Sequence, residues 1–411
     1  MKKTLFALCL LAAPCLMAQE QPPTPPAQIK TPPPGREATY RLVYDPSGKG
    51  GMESGVVLLS NVSALAYRGI FELADTAGMN SRWFLRPVTL ALIVNSPTPG
   101  NMIHEYYGHG AALREYGFGG DTKYKWGYFM GSEGKTASDR IQTAGTYEAK
   151  QQWIAGGIGS TQLYLLEYEK EMYRSGRMNL LAVKPLFQAA GDLSYLSDGL
   201  DPENLDGLND GASWLTYFKA QHGNDQGLTI TFADKSKDAV STARTMDPAL
   251  YWAAATVLHY LWTGDDGFYA PALPLAGLRF GFSPKVNLTP IGPENYYYLF
   301  IARKGTLASL YLRSGEAPEG KFSGWGAELG PVNVLGVGLT PGYDKWEFPA
   351  GVSSPQLPSA VSGYAAHLKL DLPVYKAVGL TGKATYKTKG YLLGQPSGEG
   401  YSGYAGLSLT F

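Results

Sequence analysis

The chain has 411 residues, of which 44% are hydrophobic and 17% are charged. Its 35 Lys and Arg residues balance 35 Asp and Glu residues, so the formal net charge at pH 7 is zero. Proteins that bind nucleic acid through phosphate contacts normally carry a basic excess, so this balance argues against a nucleic-acid partner. The length suffices for one large domain or two smaller ones.

The first residues, MKKTLFALCLLAAPCLMA, predict a signal peptide over residues 1–18. Two lysines precede an apolar run that is too short to cross a bilayer as a helix. We expect cleavage after Ala18 and export of the mature chain. Cleavage before Cys15, as in a lipoprotein, is the less favoured alternative because Pro14 stands where a small residue is usual.

Both cysteines of the chain, Cys9 and Cys15, lie within this segment. The mature chain would therefore contain no cysteine, which leaves it without disulfide or thiolate chemistry. Residues 19–37 follow and are rich in proline, which is typical of an extended polyproline II conformation. We predict a solvated linker over these residues.

Two short segments within residues 38–80 have strand-like composition. EATYRLVYD and SGVVLLSNV are apolar runs with β-branched or aromatic residues. We predict N-terminal strands here and expect them to join the sheet that the C-terminal part forms.

Residues 81–267 are predicted to be mainly helical. The stretches NMIHEYYGHGAALREYG, GTYEAKQQWIAGGIGSTQLYLLEYEKEMYRSG and DPALYWAAATVLHYLWTG carry the helical signals. The last has Asp247 as N-cap, Pro248 at the first helical position and Gly264 as its stop. Between the helices, GDLSYLSDGLDPENLDGLNDG is acidic but lacks the ligand spacing of an EF-hand. We predict a surface loop for this acidic segment.

Residues 268–411 predict an antiparallel β-barrel of roughly eight to ten strands. In SGYAAHLKLDL, for example, Leu368, Leu370 and Leu372 alternate with the polar Lys369 and Asp371. Segments of about ten residues with apolar side chains outward and polar ones inward are typical of membrane barrels. A soluble β-sandwich, whose strands also alternate, is the alternative.

The C-terminal stretch YSGYAGLSLTF alternates in the same way and ends on Phe411. In this it resembles the C-terminal signal of Gram-negative outer-membrane β-barrels. The resemblance implies an outer-membrane location, with membrane lipids as partners. The predicted fold class is therefore α+β, in which a helical region is joined to an antiparallel barrel of outer-membrane type.

The strongest candidates for metal-binding and catalytic residues lie in HEYYGH, where His104 and His109 are five residues apart. On a straight α-helix these positions are about 140° apart, so the two imidazoles converge only if the helix is locally distorted. An inserted residue in a helix is commonly absorbed as a π-bulge, often at a functional site. We predict such a bulge near Gly108, with Glu105 kept beside the metal.

His104-Glu105-x-x-x-His109 is similar to the HExxxH variant of the zincin signature found in TldD-like peptidases. The resemblance covers these six residues and implies that the two histidines bind Zn²⁺ while Glu105 acts as general base. TldD-like enzymes complete their site with a cysteine, which the mature chain would lack. The third ligand must therefore differ.

Four residues are candidates for the third ligand. Glu148 comes first, because it begins the next helix and a glutamate from a downstream helix is the common third ligand in His-Glu-x-x-His enzymes. His259 is the second choice, followed by Asp121 and His222.

The stretch AGGIGS, residues 155–160, places three glycines inside a predicted helix. Each glycine there costs roughly 1 kcal/mol relative to alanine. We interpret Gly156 and Gly157 as close packing against the helix that carries His104, in preference to contact with a substrate backbone.

The favoured hypothesis is a zinc-dependent hydrolase of the bacterial envelope, foremost a metallopeptidase that acts on a peptide or protein. A barrel would hold it in the outer membrane, with the helices in the lumen or the periplasm. The alternative is a non-enzymatic outer-membrane barrel, for transport or structure, with a helical plug whose histidines are structural. A lipid-modifying barrel is less favoured because the best chemical constellation lies among the helices.

Overall fold

The computed structural model describes residues 39–47, 51–95, 100–125, 133–203, 205, 209–349 and 362–410. The predicted signal peptide, the predicted linker and Phe411 lie outside these residues. The described residues all belong to one unit, Thr39–Phe411.

Helices predominate in the first part of the unit, with short strands among them, and strands make up the rest. The helices are α1 (Met52–Thr76), α2 (Arg86–Asn95), α3 (Gly100–Met102, the π-helical segment Ile103–His109 and Gly110–Glu115), α4 (Asp139–Ala144), α5 (Tyr147–Ser175), α6 (Val183–Gly199, after a 3₁₀ turn at Leu180–Ala182), α7 (Asp210–Gln221), α8 (Gln226–Thr245) and α9 (Pro248–Thr263). The strands are β1 (Thr39–Tyr44), β2 (Asp121–Lys125), β3 (Glu133–Ala137), β4 (Arg177–Asn179), β5 (Gly267–Tyr269), β6 (Leu273–Leu275), β7 (Leu278–Thr289), β8 (Gly292–Arg303), β9 (Thr306–Ala317), β10 (Gly320–Gly330), β11 (Val332–Val334), β12 (Val337–Glu347), β13 (Ser362–Tyr375), β14 (Val378–Lys387) and β15 (Gly400–Thr410).

Most of the strands form one antiparallel sheet, which has eleven strands within the described residues. Its order is β1-β15-β14-β13-β12-β10-β9-β8-β7-β6, with β11 paired to β12. The α+β class and the large antiparallel sheet are thus confirmed. In the described part of the chain β1 does not pair with β6, so the sheet has two edges and a closed barrel stays a prediction.

The two faces of the sheet differ in the way that the alternation predicts. Along β13, Leu368, Leu370 and Leu372 are exposed, whereas His367 and Lys369 face the helices and are largely covered. His367 there lies 3.0 Å from the carboxylate of Glu328. Apolar side chains therefore point away from the molecule and polar ones point inward, which is the reverse of an ordinary soluble sheet.

Helix α5 lies against the inward face of the sheet and is buried along most of its length. Its apolar side chains pack with Tyr296, Tyr298 and Phe300 of β8. A helix that is covered on all sides needs no polar stripe, which explains its weak amphipathicity. Helices α6, α7 and α8 pack together beside it, and α6 and α7 carry further parts of the candidate site.

The predicted strands within residues 38–80 are half correct. TYRLVY forms β1 and pairs with β15. The prediction for SGVVLLSNV is wrong, because these residues lie inside the 25-residue helix α1. A short apolar run cannot be assigned by periodicity alone, and nine residues taken from a longer helical stretch give the appearance of a strand.

The predicted helical region begins earlier than residue 81, since α1 starts at Met52, and it also contains the β2–β3 hairpin. The helices predicted from the three quoted stretches are confirmed as α3, α5 and α9. In α9 the side chain of Asp247 accepts from the backbone of Ala249, and Gly264 ends the helix at a φ of 80°. The acidic segment is not simply a surface loop. It includes the second half of α6 and the first residues of α7, both of which contribute to the site.

Candidate metal centre

The distortion that the histidine spacing requires is present. Residues Ile103–His109 form a π-helical segment, and the backbone N–H of Gly110 donates to the carbonyl of Glu105, five residues earlier. The wider turn brings the imidazoles of His104 and His109 together, with ring centroids 4.9 Å apart. The predicted bulge is thus confirmed.

Glycines let α3 and α5 approach backbone to backbone. A Cβ added to Gly108 would lie 2.7 Å from the carbonyl of Gly156, and one added to Gly156 would lie 2.6 Å from the carbonyl of Gly108. The Ser160 hydroxyl donates to the carbonyl of Ile103 at 3.0 Å. The interpretation of Gly156 and Gly157 as close packing against the His104 helix is confirmed. This packing seats the π-helical segment directly over Gly157.

Each histidine is held through its Nδ1 atom. Nδ1 of His109 lies 2.8 Å from the carbonyl of Trp153, and Nδ1 of His104 lies 3.4 Å from a carboxylate oxygen of Asp192. A carbonyl can only accept, so His109 carries its proton on Nδ1. Asp192, which also accepts from Thr161 at 2.7 Å, favours the same tautomer in His104. Such outer partners are typical of metal-binding histidines, whose Nε2 is then free to coordinate.

Both Nε2 atoms point at one carboxylate oxygen, Oδ2 of Asp210. The distances are 3.2 Å from His104 and 3.5 Å from His109, and the three possible ligand atoms lie within 4.8 Å of one another. Two ligands that are 2.0–2.2 Å from an ion and separated by the tetrahedral angle lie roughly 3.3–3.6 Å apart. His104, His109 and Asp210 could therefore hold a metal ion with little adjustment.

Asp210 is held in place by its neighbours in α6 and α7. It is the first residue of α7, after the N-cap Asn209, whose side chain accepts from Gly211. The backbone N–H of Asp210 donates to the hydroxyl of Tyr195 at 3.3 Å. Burial and the nearby charges of Asp210, Glu105 and Asp192 raise the pKa of Tyr195 to about 12, so this phenol keeps its proton at neutral pH.

The structure does not bring Glu148, the first choice for the third ligand, to the histidines. Glu148 accepts a hydrogen bond from Tyr391 and lies nine residues before Gly157 on α5. Nine residues are two and a half helical turns, or roughly 14 Å along the axis, so the two positions face opposite sides of α5. Asp210 takes the place that was predicted for Glu148.

The other candidates also lie elsewhere. His259 is on α9, with its ring 5.0 Å from that of Phe268. His222 follows α7, with its ring 4.5 Å from Phe218. Asp121 begins β2 and is exposed.

Asp192 and Asp210 were overlooked because both belong to the acidic segment that was predicted to be a loop. That segment was rejected as a metal site only because it lacks EF-hand spacing. A single carboxylate that completes a histidine pair needs no such spacing. The sequence Asn209-Asp210-Gly211 could have indicated this ligand, because an N-capping asparagine predicts the start of a helix and fixes the position of the carboxylate that follows it.

The carboxylates around His104 and His109 favour a positive charge in the group. Burial lowers the pKa of His104, but its hydrogen bonds to Asp192 and Asp210 raise it well above the ordinary value. Burial raises the pKa of Asp210, yet the two histidines hold it well below its usual range. Two arrangements satisfy this: protons on the Nε2 atoms, or a metal cation that replaces them.

Glu105 lies beside this group without joining it. Its Oε2 atom is buried and has no hydrogen-bond partner among the described residues. A Cβ on Gly134 would overlap the Glu105 side chain, so strand β3 covers this carboxylate closely. Burial lowers the pKa of His109, whereas the charges of Asp210 and, to a smaller extent, Glu105 raise it.

Comparisons with protein-family models, with curated proteins and with solved structures found no match to this chain.

If the group holds Zn²⁺, replacing Asp192 with asparagine should weaken zinc binding about 10- to 100-fold, as loss of an outer partner of a metal-binding histidine typically does. The amide removes the charge that orients His104 and keeps the side chain's size. Competition with a chromophoric chelator measures the affinity. Asp198→Asn, at an exposed position of the same helix, is the control and should leave the affinity unchanged.

Zinc affinity should rise with pH across the neutral range. In the metal-free protein the pKa of His104 is raised, so its stabilising proton is fully bound below the unfolded pKa and lost as pH rises through the folded one. Zinc must displace that proton, so its affinity should increase by up to about tenfold per pH unit until His104 is neutral. Chelator competition at several pH values measures this. An affinity that is flat with pH would contradict it.

Proposed function

We propose that this chain is a metal-dependent hydrolase, with zinc as the favoured metal and a peptide or protein as the favoured substrate. The observation that carries the proposal is the group of His104, His109 and Asp210 with the carboxylate of Glu105 beside it. Among the described residues no fourth His, Cys, Asp or Glu joins the group. Three protein ligands are typical of catalytic zinc, whereas structural zinc is usually enclosed by four.

Each residue has a distinct role in this proposal. His104, His109 and Asp210 would hold the ion, and the ion would supply Lewis acidity for hydrolysis. Glu105 would accept a proton from the attacking water and pass it to the leaving amine. Its Oε2 atom is buried and has no hydrogen-bond partner among the described residues, which suits a general base. The phenol of Tyr195 is close to Asp210 and keeps its proton, so it could donate to a developing oxyanion.

Two histidines and one carboxylate also form the ligand set of non-haem Fe(II) oxygenases. Glu105 favours hydrolysis over that alternative, because an oxygenase has no need of a general base adjacent in sequence to a ligand. Metal content after growth with both ions present tests the choice. Iron in stoichiometric amount would overturn the assignment of zinc.

Glu105→Gln should keep stoichiometric zinc and lose at least about 100-fold of the hydrolytic rate, which is the usual contribution of a general base. The amide preserves the size of the side chain but cannot accept the proton. The assay compares zinc content with cleavage of a fluorogenic peptide library. His109→Ala should lose both metal and activity. Zinc retained in His109→Ala, or full activity in Glu105→Gln, would contradict the assigned roles.

We also propose that the protein resides in the outer membrane of a Gram-negative bacterium through its sheet. The outward face of the sheet supports this, since its exposed side chains include Leu310, Leu312, Leu370 and Leu380. A barrel in a membrane needs such an outward apolar band, whereas a soluble sheet would place polar residues there. A nitroxide at position 370 should then be accessible to oxygen from lipid and shielded from a water-soluble nickel chelate.

A non-enzymatic outer-membrane barrel remains the alternative function. It would keep the lipid contact at position 370 and hold either a structural metal or none. Without metal, His104 and His109 would be protonated partners of Asp210, and zinc analysis of the detergent-purified protein detects this case. With a structural metal, the protein would contain zinc but cleave no peptide in the library assay.

A further inference from the structure

Three helices have exposed faces that are largely apolar. On α9, Tyr251, Ala254, Leu258 and Trp262 form one exposed stripe, and the helix contains no Asp, Glu, Lys or Arg. An exposed helix of a soluble protein normally carries charged residues on such a face. The outer stripe of α9 is therefore built for apolar surroundings.

Helices α1 and α2 have similar outer faces. Val62, Leu65 and Leu73 are exposed on α1, and Val88 and Leu92 are exposed on α2. The one charged residue of α2, Arg86, is buried. By length and composition α1 could span a membrane, although core helices of soluble proteins can meet the same criterion. Most of α1 is not buried, which distinguishes it from a core helix.

These helices connect the β1 edge of the sheet with β7, the strand next to the short edge strand β6. Contacts run from β1 to α1, from α1 to α2, from α2 to α9 and from α9 to β7. At the β1 edge the backbone N–H of Arg41 donates to the side chain of Asn61 on α1 at 2.9 Å. A strand edge in hydrocarbon must have its backbone groups satisfied, and α1 meets this requirement at Arg41.

The polar groups at the contact between α2 and α9 are also hydrogen-bonded within the protein. The guanidinium of Arg86 donates to the carbonyls of Asn80, Leu261 and Trp262. The hydroxyl of Tyr260 donates to Asn80 at 2.7 Å. The last carbonyls of α9, which lack partners within the helix, are therefore not left to solvent.

Charged residues reappear at one end of the stripes. Glu72 and Asp75 are exposed in the last turn of α1, Arg82 follows it, and Asp265 follows α9. These helix ends meet at Asn80, so the charges lie on the same side of the molecule. Trp83 is exposed beside Arg82, as aromatic residues often are at a membrane interface. Apolar side chains that give way to charged and aromatic ones match a bilayer, in which a hydrocarbon core ends at a polar interface.

We infer that α1, α2 and α9 complete the wall of the molecule between β1 and β7 and face the hydrocarbon of the bilayer. The wall is thus part sheet and part helix. A second copy of the chain explains this surface less well than lipid does. The apolar surface continues from the three helices onto the sheet, and one partner chain would cover only part of it. This inference rests on the proposed membrane location and differs from a helical region confined to the lumen or the periplasm.

Single nitroxide labels test the wall. In a background where Cys9 and Cys15 are replaced by serine, labels are placed by Leu92→Cys on α2, Leu258→Cys on α9 and Leu370→Cys on β13. Asp238→Cys, at an exposed position of α8, is the aqueous control. The protein is reconstituted into phosphatidylethanolamine–phosphatidylglycerol vesicles, and collision with oxygen and with a nickel chelate is measured. We expect the first three labels to favour oxygen and the control to favour nickel.

The outcomes separate this inference from the membrane proposal. Lipid exposure at 370 with water exposure at 92 and 258 would overturn the helical wall and leave the membrane location standing. Water exposure at all three would overturn both. Labels at 92 and 258 that are shielded from both reagents would mean that protein covers the helices, which also overturns the wall. Should a labelled variant not fold, quenching of Trp262 by brominated lipid, measured as the difference between wild type and Trp262→Phe, gives the same information.

Discussion

Gly157→Ala should abolish stoichiometric zinc binding without unfolding the protein. A Cβ at this position would lie 2.6 Å from Nε2 of His104 and 2.6 Å from Nε2 of His109. These are the atoms that must coordinate the ion, so the methyl group would occupy the space in front of both. Metal sites tolerate displacement of their ligands by only about 0.5 Å. Zinc content after purification, with chelator competition for any residual affinity, measures the effect.

Gly159→Ala is the matched control on the same helix. A Cβ there would meet its nearest neighbour, the side chain of Asn287, at 3.5 Å, which is ordinary contact. Since alanine favours the helix by roughly 1 kcal/mol, this variant should be as stable as the wild type or more so, with full zinc content. Equal zinc in the two variants would contradict the placement of the metal over Gly157. Loss of zinc in both would indicate a general effect of changing α5.

The histidine pair could be predicted from the sequence because its chemistry is local. His104, Glu105 and His109 are close in the chain, and their spacing allows convergence only with a π-helical defect. Asp210 could not be predicted in this way. It is 106 residues from His104, and its place depends on how α6 and α7 pack against α5. The prediction of Glu148 rests on the glutamate that is the common third ligand in His-Glu-x-x-His enzymes. In this fold Glu148 lies on the side of α5 opposite to Gly157.

The fold shows the same division between local and long-range information. Alternation over ten or more residues predicts β13 and β15 correctly. Successive side chains of a strand point to opposite faces, so the period of two is the same whether the apolar face points inward or outward. The apolar run of α1 was misassigned because its outer face is apolar as well. A surface helix usually marks its outer face with charged residues, and the stretch from Ser54 to Tyr67 contains none.

Lys285→Met should destabilise the protein by about 3–5 kcal/mol, the usual cost of removing one partner from a buried ion group. Nζ of Lys285 lies 2.8 Å from the carboxylate of Glu169 on α5 and 2.9 Å from that of Asp247. It also contacts the hydroxyl of Ser283. Lys285 and Glu169 are fully buried, and Asp247 is nearly so. Methionine fills a similar volume but leaves two carboxylates without a cation.

The loss of stability in Lys285→Met should extend beyond β7, since Glu169 and Asp247 belong to other elements. Asp247 caps α9 through the backbone of Ala249, and Glu169 belongs to the buried helix α5. Lys285 therefore ties the sheet to the central helix and to the start of a helix that we place in the wall. The midpoint of thermal or denaturant unfolding in detergent measures the effect, with loss of α-helical signal as the readout.

Lys345→Met on β12 is the matched control for this prediction. Its partner Glu347 is 3.5 Å away and both side chains are largely exposed, so the pair should contribute less than about 1 kcal/mol. A large difference between the two variants means that burial, and not the number of ion pairs, sets the stability. If Lys285→Met unfolds at the wild-type midpoint, Glu169 and Asp247 must share a proton in place of the lysine charge. Adding Glu169→Gln and Asp247→Asn to Lys285→Met should recover part of the lost stability only if their unpaired charges are the cause.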